Sequence, residues 1–198
     1  ALRILAPDMP LILEENYTAR LADMLKRGEV DAIIVADPFD EPGPVAVPLY
    51  DEEFVVATPK GHPWEKRDAV RSSDLASESV LLLSQGNCFR DHVLQACSEV
   101  ASRQHQNNGL AASLQGSSLN TIRHMVASGM GVTVLPQTSV SPADEGLLSI
   151  IPFAAPVPQR RVLLVTRKQF FRKQAIHTLQ QAVFRSGLNG VTMLEHEA

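Results

Sequence analysis

The chain has only two cysteines, Cys88 and Cys97, in 198 residues, too few to staple a secreted fold, so a hydrophobic core must hold it together. A reducing cytosol would keep both as thiols, which leaves redox chemistry or metal ligation as their functional readings. Long apolar runs are missing as well. Val80–Leu83 and Val162–Val165 fall far short of the roughly 18 to 20 consecutive apolar residues of a membrane span. The first residues do not read as a secretory leader, so a cytoplasmic protein with no membrane partner is expected. Positive charge is not in excess: 18 Lys plus Arg stand against 22 Asp plus Glu. Such a chain lacks the basic surface that neutralises phosphates, so any DNA contact belongs to another segment.

Several catalytic signatures are missing too. There is no G-x-S-x-G elbow, since SGMG follows a helix rather than a strand, and no glycine-rich phosphate loop precedes a helix. C-x-x-C and H-E-x-x-H do not occur. Cys88 and His92 are four apart on one helical face, but two ligands do not make a zinc site and the remaining histidines are scattered. His62, in GHPW, reads as a turn residue and His124 as part of a polar helix face. Neither a metal nor a cofactor is expected.

What is present is α/β patterning, with 44% hydrophobic residues, enough for one large or two small domains. The opening ALRILAPDMP reads as the end of a helix running into a turn, so the chain is taken as a fragment. Leu11–Glu14 is expected to be a strand, Tyr17–Arg27 an amphipathic helix stopped by Gly28, and Asp31–Ala36 a buried strand. Near-continuous apolar strands such as DAIIVA suggest a parallel sheet covered on both faces. Strand pieces follow at Val45–Leu49, Phe54–Thr58, Leu75–Leu83 and Leu110–Leu114, the last after a polar loop at Arg103–Gly109. Ser117 or Ser118 caps a helix through Ala127, GVTVLP is a buried strand, VLLVT another, and Phe170–Arg185 a last helix. The Pro-rich stretches around residues 37–64 and 152–161 read as two crossings between lobes, with lobe I at 1–55 plus 156–198 and lobe II, carrying both cysteines, at 56–155.

The segment GNCFRDHVLQACSEV raises the sharpest question. If Cys88–Ala101 is one unbroken helix, nine residues at about 1.5 Å rise hold the thiols about 13 to 14 Å apart, on opposite faces. A disulfide needs α-carbons within roughly 7 Å, so helix and bond exclude one another. Oxidation of one thiol followed by attack of the other would therefore turn chemistry into a change of shape. Cys88, at the helix start with Arg90 nearby, sits where an anionic sulfur is favoured, and Cys97 reads as the resolving thiol. The plain reading is that each cysteine is a small buried hydrophobe. Arg90 with Asp91 is then a surface ion pair of little worth.

GNCFRD, a second cysteine nine residues after the first, and SSLNTIRHMVASGMGVTVLP together resemble the OxyR-type peroxide sensors, a branch of the LysR-type transcriptional regulators. PLYDEEFVVATPKGHPW and PQRRVLLVTR fit the same family, so the resemblance covers nearly the whole chain. It implies a two-lobed fold like a periplasmic binding protein, each lobe a sheet flanked by helices, with a DNA-binding domain and linker helix outside this chain. Cys88 resembles the peroxidatic thiol and Cys97 its resolving partner. Thr18 resembles the pocket threonine, Arg90 and Asp91 match the residues after the reactive cysteine, and Arg161, or its neighbour Arg160, matches an arginine able to stabilise the thiolate. Asn87 stands where a histidine often precedes that cysteine, and an amide cannot carry the proton charge of an imidazole. Hydrogen peroxide as signal, homodimers assembling into tetramers, promoter DNA and a resetting reductant such as glutaredoxin are the partners implied.

Three functions compete on the sequence alone. The first is the redox-sensing regulatory domain just described, which is not a turnover enzyme. A lobe pair binding a small metabolite with incidental cysteines is the second, and a thiol peroxidase is the third.

Overall fold

A computed structural model describes residues 1–98, 100–102 and 115–194. The chain divides into two compact units, residues 1–52 with 160–198, and residues 53–159. Two long strands pass from one unit to the other, β2 (Pro44–Pro59) and β7 (Gln159–Arg167). The two strand pieces read from sequence at Val45–Leu49 and Phe54–Thr58 are thus halves of one sixteen-residue strand.

In the first unit, α1 (Leu2–Leu5) is a single turn and α2 (Thr18–Arg27) buries Ala22, Met24 and Leu25. Gly28, left-handed at φ 76°, stops α2, and the strand β1 (Ala32–Ala36) follows. β1 pairs antiparallel with β7, from Ala32↔Thr166 to Ala36↔Val162. Leu25, Ile33, Val35, Leu163 and Val165 form the resulting core, where full burial of each large aliphatic side chain contributes about 1.5 to 3 kcal/mol. The helix α5 (Lys173–Phe184) packs Ile176, Leu179, Val183 and Phe184 against Leu49, Val162 and Leu164. The short β8 (Val191–Met193), with no strong sequence signal, pairs with Tyr50–Glu52 of β2. Leu11–Glu14, expected as a strand, is irregular and exposed, because no neighbouring strand takes up its backbone groups among the described residues.

The second unit holds the larger core. Its sheet runs β6–β2–β5–β3–β4, with β3 at Val80–Leu83, β4 at Gln115–Gly116, β5 at Val132–Pro136 and β6 at Leu148–Pro152. Helices α3 (Cys88–Ala96) and α4 (Leu119–Ala127) pack Phe89, Val93, Ile122 and Val126 into a core that includes Phe54, Trp64 and Leu135. Ser118, not Ser117, is the N-cap of α4, accepting a hydrogen bond from the Thr121 N–H. Residues 75–79 belong to a 3-10 turn and its exit, so the strand expected from Leu75 begins only at Val80. The expected polar loop at Arg103–Gly109 and strand at Leu110–Leu114 lie outside the described residues.

The sheet is mixed, which corrects the parallel expectation. β2 is antiparallel to β5, β6 and β8, and β1 to β7, while β3 is parallel to β4 and β5. In β1 the apolar run is not buried on both faces either, since Ile34 is 47% exposed; strand direction depends on how the chain returns, which no periodicity encodes.

Gly131 joins α4 to β5 with φ 155°, and a Cβ built there would lie 2.2 Å from the Ser79 carbonyl oxygen. That carbonyl accepts from the Val132 N–H, so the close approach begins the β3–β5 pairing. Gly131→Ala is expected to cost about 2 to 3 kcal/mol through strain and clash. Denaturant unfolding against the parent chain measures it, and an unchanged midpoint would refute the packing argument.

Candidate functional site

Asn87, Cys88, Arg90 and Asp91 lie together in the second unit where β3 hands over to α3, and Cys97 lies at the far end of that helix. Thr18 and Arg161 belong to the first unit, Thr18 as the opening residue of α2 and Arg161 on β7.

The turn Ser84–Asn87 contains Gly86 at φ 92°, a left-handed conformation costly for residues with a side chain. It delivers Asn87 to the N-cap of α3, where its Oδ1 accepts from the Phe89 N–H at 3.0 Å. The amide thus does a cap's work, satisfying a helix donor. Cys88 is the first helical residue and is partly exposed. Asp91 is exposed in the first turn, where a negative charge suits the helix dipole. Arg90 reaches back to β3, its Nη1 donating to the Leu83 carbonyl at 3.1 Å. Its side chain lines a cavity of about 10 Å³, enclosed also by Leu81, Phe89, Val93, Ile122 and Thr133. Ser84 completes the junction, donating through both N–H and Oγ to the Gly116 carbonyl.

Cys97 is wholly buried in the core of the second unit. Its N–H still bonds to the Val93 carbonyl, but its φ of −126° and ψ of 75° leave the helical region. The single helix expected from Cys88 to Ala101 is therefore broken at Cys97, and a further turn starts there, with the Val100 and Ala101 N–H groups on the Cys97 carbonyl. No disulfide joins Cys88 and Cys97. The helical spacing from Cys88 to the end of α3 still holds them about 13 Å apart along the axis, against the roughly 7 Å limit between α-carbons of a disulfide.

The two arginines at the second crossing are distinct in environment. Arg161 makes a bidentate, largely exposed pair with Asp51, Nε to Oδ1 at 2.8 Å and Nη2 to Oδ2 at 2.9 Å, and these hydrogen bonds raise its pKa above the ordinary arginine value. Arg160 pairs at 2.7 Å with Glu52, whose side chain is fully buried. Burial, and next the Glu52 charge, push the Tyr50 phenol above its usual range, while Arg160 opposes them. A backbone acceptor such as the Leu83 carbonyl leaves no mark in a sequence, and neither does the Arg160–Glu52 pairing across 108 residues. Among the described residues, no group of three or more His, Cys, Asp or Glu side chains could hold a metal, and no helix is long and apolar enough to cross a membrane.

Residues 1–186 match the model of the LysR substrate binding domain. A reduced form of OxyR from N. meningitidis is 55% identical, with a TM-score of 0.92 over 98% of this chain and 89% of that one. The reduced OxyR regulatory domain from Pseudomonas aeruginosa is 43% identical, with a TM-score of 0.78 over 92% of this chain and 86% of the other. A probable hydrogen peroxide-inducible genes activator of Mycobacterium avium is 38% identical over 174 residues, 87% of this chain and 54% of that protein. The chain therefore belongs to the LysR substrate-binding domain family and, within it, to the OxyR regulatory domains. It spans about half the length of the curated relatives it matches.

The buried Glu52 makes its partner the costlier arginine to lose. Arg160→Met is expected to destabilise the chain by about 3 kcal/mol, because it removes the cation paired at 2.7 Å with a buried carboxylate. Arg161→Met should cost at most about 1 kcal/mol, since its pair is solvent-screened. Urea unfolding of the two variants side by side checks the order, and equal losses would contradict it.

Proposed function

We propose that this chain is the redox-sensing regulatory region of an OxyR-type transcription factor, with hydrogen peroxide as its signal. The observation that carries the reading is the placement of the chain's only two thiols at opposite ends of one helix, Cys88 partly exposed and Cys97 buried. The similarity to reduced OxyR and to a probable hydrogen peroxide-inducible genes activator supports it.

In the first step the Cys88 sulfur, as thiolate, attacks one peroxide oxygen. The O–O bond breaks, sulfur becomes a sulfenic acid, and the departing hydroxide takes a proton to become water. The Cys97 sulfur then attacks the sulfenic sulfur, and a second water leaves as the S–S bond forms. Two thiols and one peroxide thus give one disulfide and two waters. Cys88 is the first helical residue, at the end of α3 where the helix dipole favours negative charge. Thr18 and Arg161, both in the first unit, are the residues that the family resemblance offers as a hydrogen-bond donor to a peroxide oxygen and as a fixed positive charge. Asn87, Arg90 and Asp91 shape the helix end that carries the reacting sulfur.

The disulfide is incompatible with α3, so its formation unwinds the segment and changes the packing of the second unit. The two units serve as regulatory lobes I and II, and a DNA-binding segment outside this chain reads the change at promoters. Dimers assembling into tetramers transmit it, and a thiol reductant of the glutaredoxin kind restores the starting state. The chain acts as a sensor that turns over once per reset.

Peroxide should remove two free thiols per chain in the parent protein and yield an intramolecular disulfide, measured by alkylation and intact mass. Cys97→Ser should stop at a sulfenic acid on Cys88 that a dimedone probe traps, and Cys88→Ser should give neither product. A Cys88→Ser chain that still changes conformation with peroxide would sink the reading.

A further inference from the structure

We propose that Asn87 and Arg90 are positioning residues that set the redox potential of the Cys88/Cys97 couple, by clamping the first turn of α3 in the thiol form. The inference rests on the disulfide reading above and adds to it a physical account of the threshold.

Closing about 13 Å of helix to less than about 7 Å requires one end of α3 to come loose. The two ends are held differently. Cys97 is wholly buried and its N–H is bonded to the Val93 carbonyl, whose residue is also in the core. Cys88 is partly exposed and follows Gly86, around whose α-carbon the space is open. The geometry assigns the movement to the Cys88 end. Both clamps lie on that end.

Each clamp exists only while the first turn is helical. The Asn87 Oδ1 to Phe89 N–H bond is an N-cap contact and needs cap geometry. The bond from Arg90 to the Leu83 carbonyl ties the third helical residue to the last residue of β3, closing the loop of residues 83–90. A cation in the first turn opposes the helix dipole, so nothing in the helix itself calls for arginine there. The carbonyl at the end of β3 does. Arg90 thus acts on the sulfur through the backbone that carries it, and the guanidinium is directed at β3.

An interaction present in the thiol form and lost in the disulfide form favours reduction. Weakening it makes the disulfide easier to form and the potential more negative. The relevant equilibrium is the protein disulfide plus two glutathione thiols giving two protein thiols plus glutathione disulfide, in which the protein gains two electrons and two protons and glutathione loses them.

The test equilibrates the full 198-residue chain in glutathione buffers of graded ratio and reads the disulfide fraction by alkylation and mass. Asn87→Ala should raise the equilibrium constant for disulfide formation about fivefold, the usual worth of a cap. Asn87→Ser, which keeps a capping oxygen, should stay within about twofold of the parent. Arg90→Met, which keeps the apolar stem but loses the charged hydrogen bond, should raise it about tenfold, or about 30 mV for a two-electron couple. Purely structural roles would lower unfolding midpoints without shifting the potential in this ordered way. Unchanged potentials in Asn87→Ala and Arg90→Met, or a shift to less negative values, would overturn the proposal and place the movement at the Cys97 end. If Arg90→Met does not fold, the contrast between Asn87→Ala and Asn87→Ser decides. A parent chain that forms no disulfide at any ratio would remove the proposed function first, and the clamp with it.

Discussion

A helix and a disulfide set incompatible distances for the same pair of sulfurs. Eight peptide units of α3 and the bond into Cys97 fix the thiols at a separation that helical rise dictates, about twice what a covalent S–S link allows between α-carbons. The rest of the second unit is arranged around holding that helix in place. Phe89 and Val93 bury one face of it, Phe54 meets the Phe89 ring edge-on at 5.2 Å, and Cys97 itself fills part of the core. Oxidation chemistry at these sulfurs therefore cannot be local. It must act against packing and capping together.

Those opposing contributions are of similar size, which is what a switch requires. A cap is worth about 1 kcal/mol and a charge-assisted hydrogen bond about 1.5 to 3, while burying an aromatic or large aliphatic side chain adds about 1.5 to 3 more. Few such terms would need to be lost, and a covalent bond formed in exchange can offset them. The break at Cys97, with ψ 75°, shortens the continuous helix to nine residues and limits how much ordered backbone stands in the way. In the first unit the ion pairs of Asp51 with Arg161 and Glu52 with Arg160 fix adjacent residues of β2 and β7. Successive residues on a strand face opposite sides, so one arginine goes to a fully buried carboxylate and its neighbour to a partly buried one.

Much of this was legible in the residues. The apolar spacing of Leu21, Met24 and Leu25 gave α2 and Gly28 its stop; Ile122 and Val126 gave the buried face of α4. The cysteine spacing gave the helix-against-disulfide conflict. Other features were not legible. Leu11–Glu14 carries apolar residues but has no pairing partner among the described residues, and a strand exists only with a neighbour. Asn87 was weighed as a substitute for histidine chemistry, whereas its hydrogen bond makes it a cap. The hydrogen bond from Arg90 to the Leu83 carbonyl of β3 leaves no mark in the residues either, because its acceptor is a backbone atom.

The sequence by itself determined the main helices and several of the strands, how far apart along the chain the two thiols lie, and that helical geometry forbids their direct union. These follow from local periodicity and fixed backbone dimensions. Only the tertiary structure decided the mixed direction of the sheet, the burial of Cys97 beside the exposure of Cys88, and the partners of Asn87, Arg90, Arg160 and Arg161. Each depends on groups brought together from distant positions, and several of those groups are backbone atoms that every residue possesses alike.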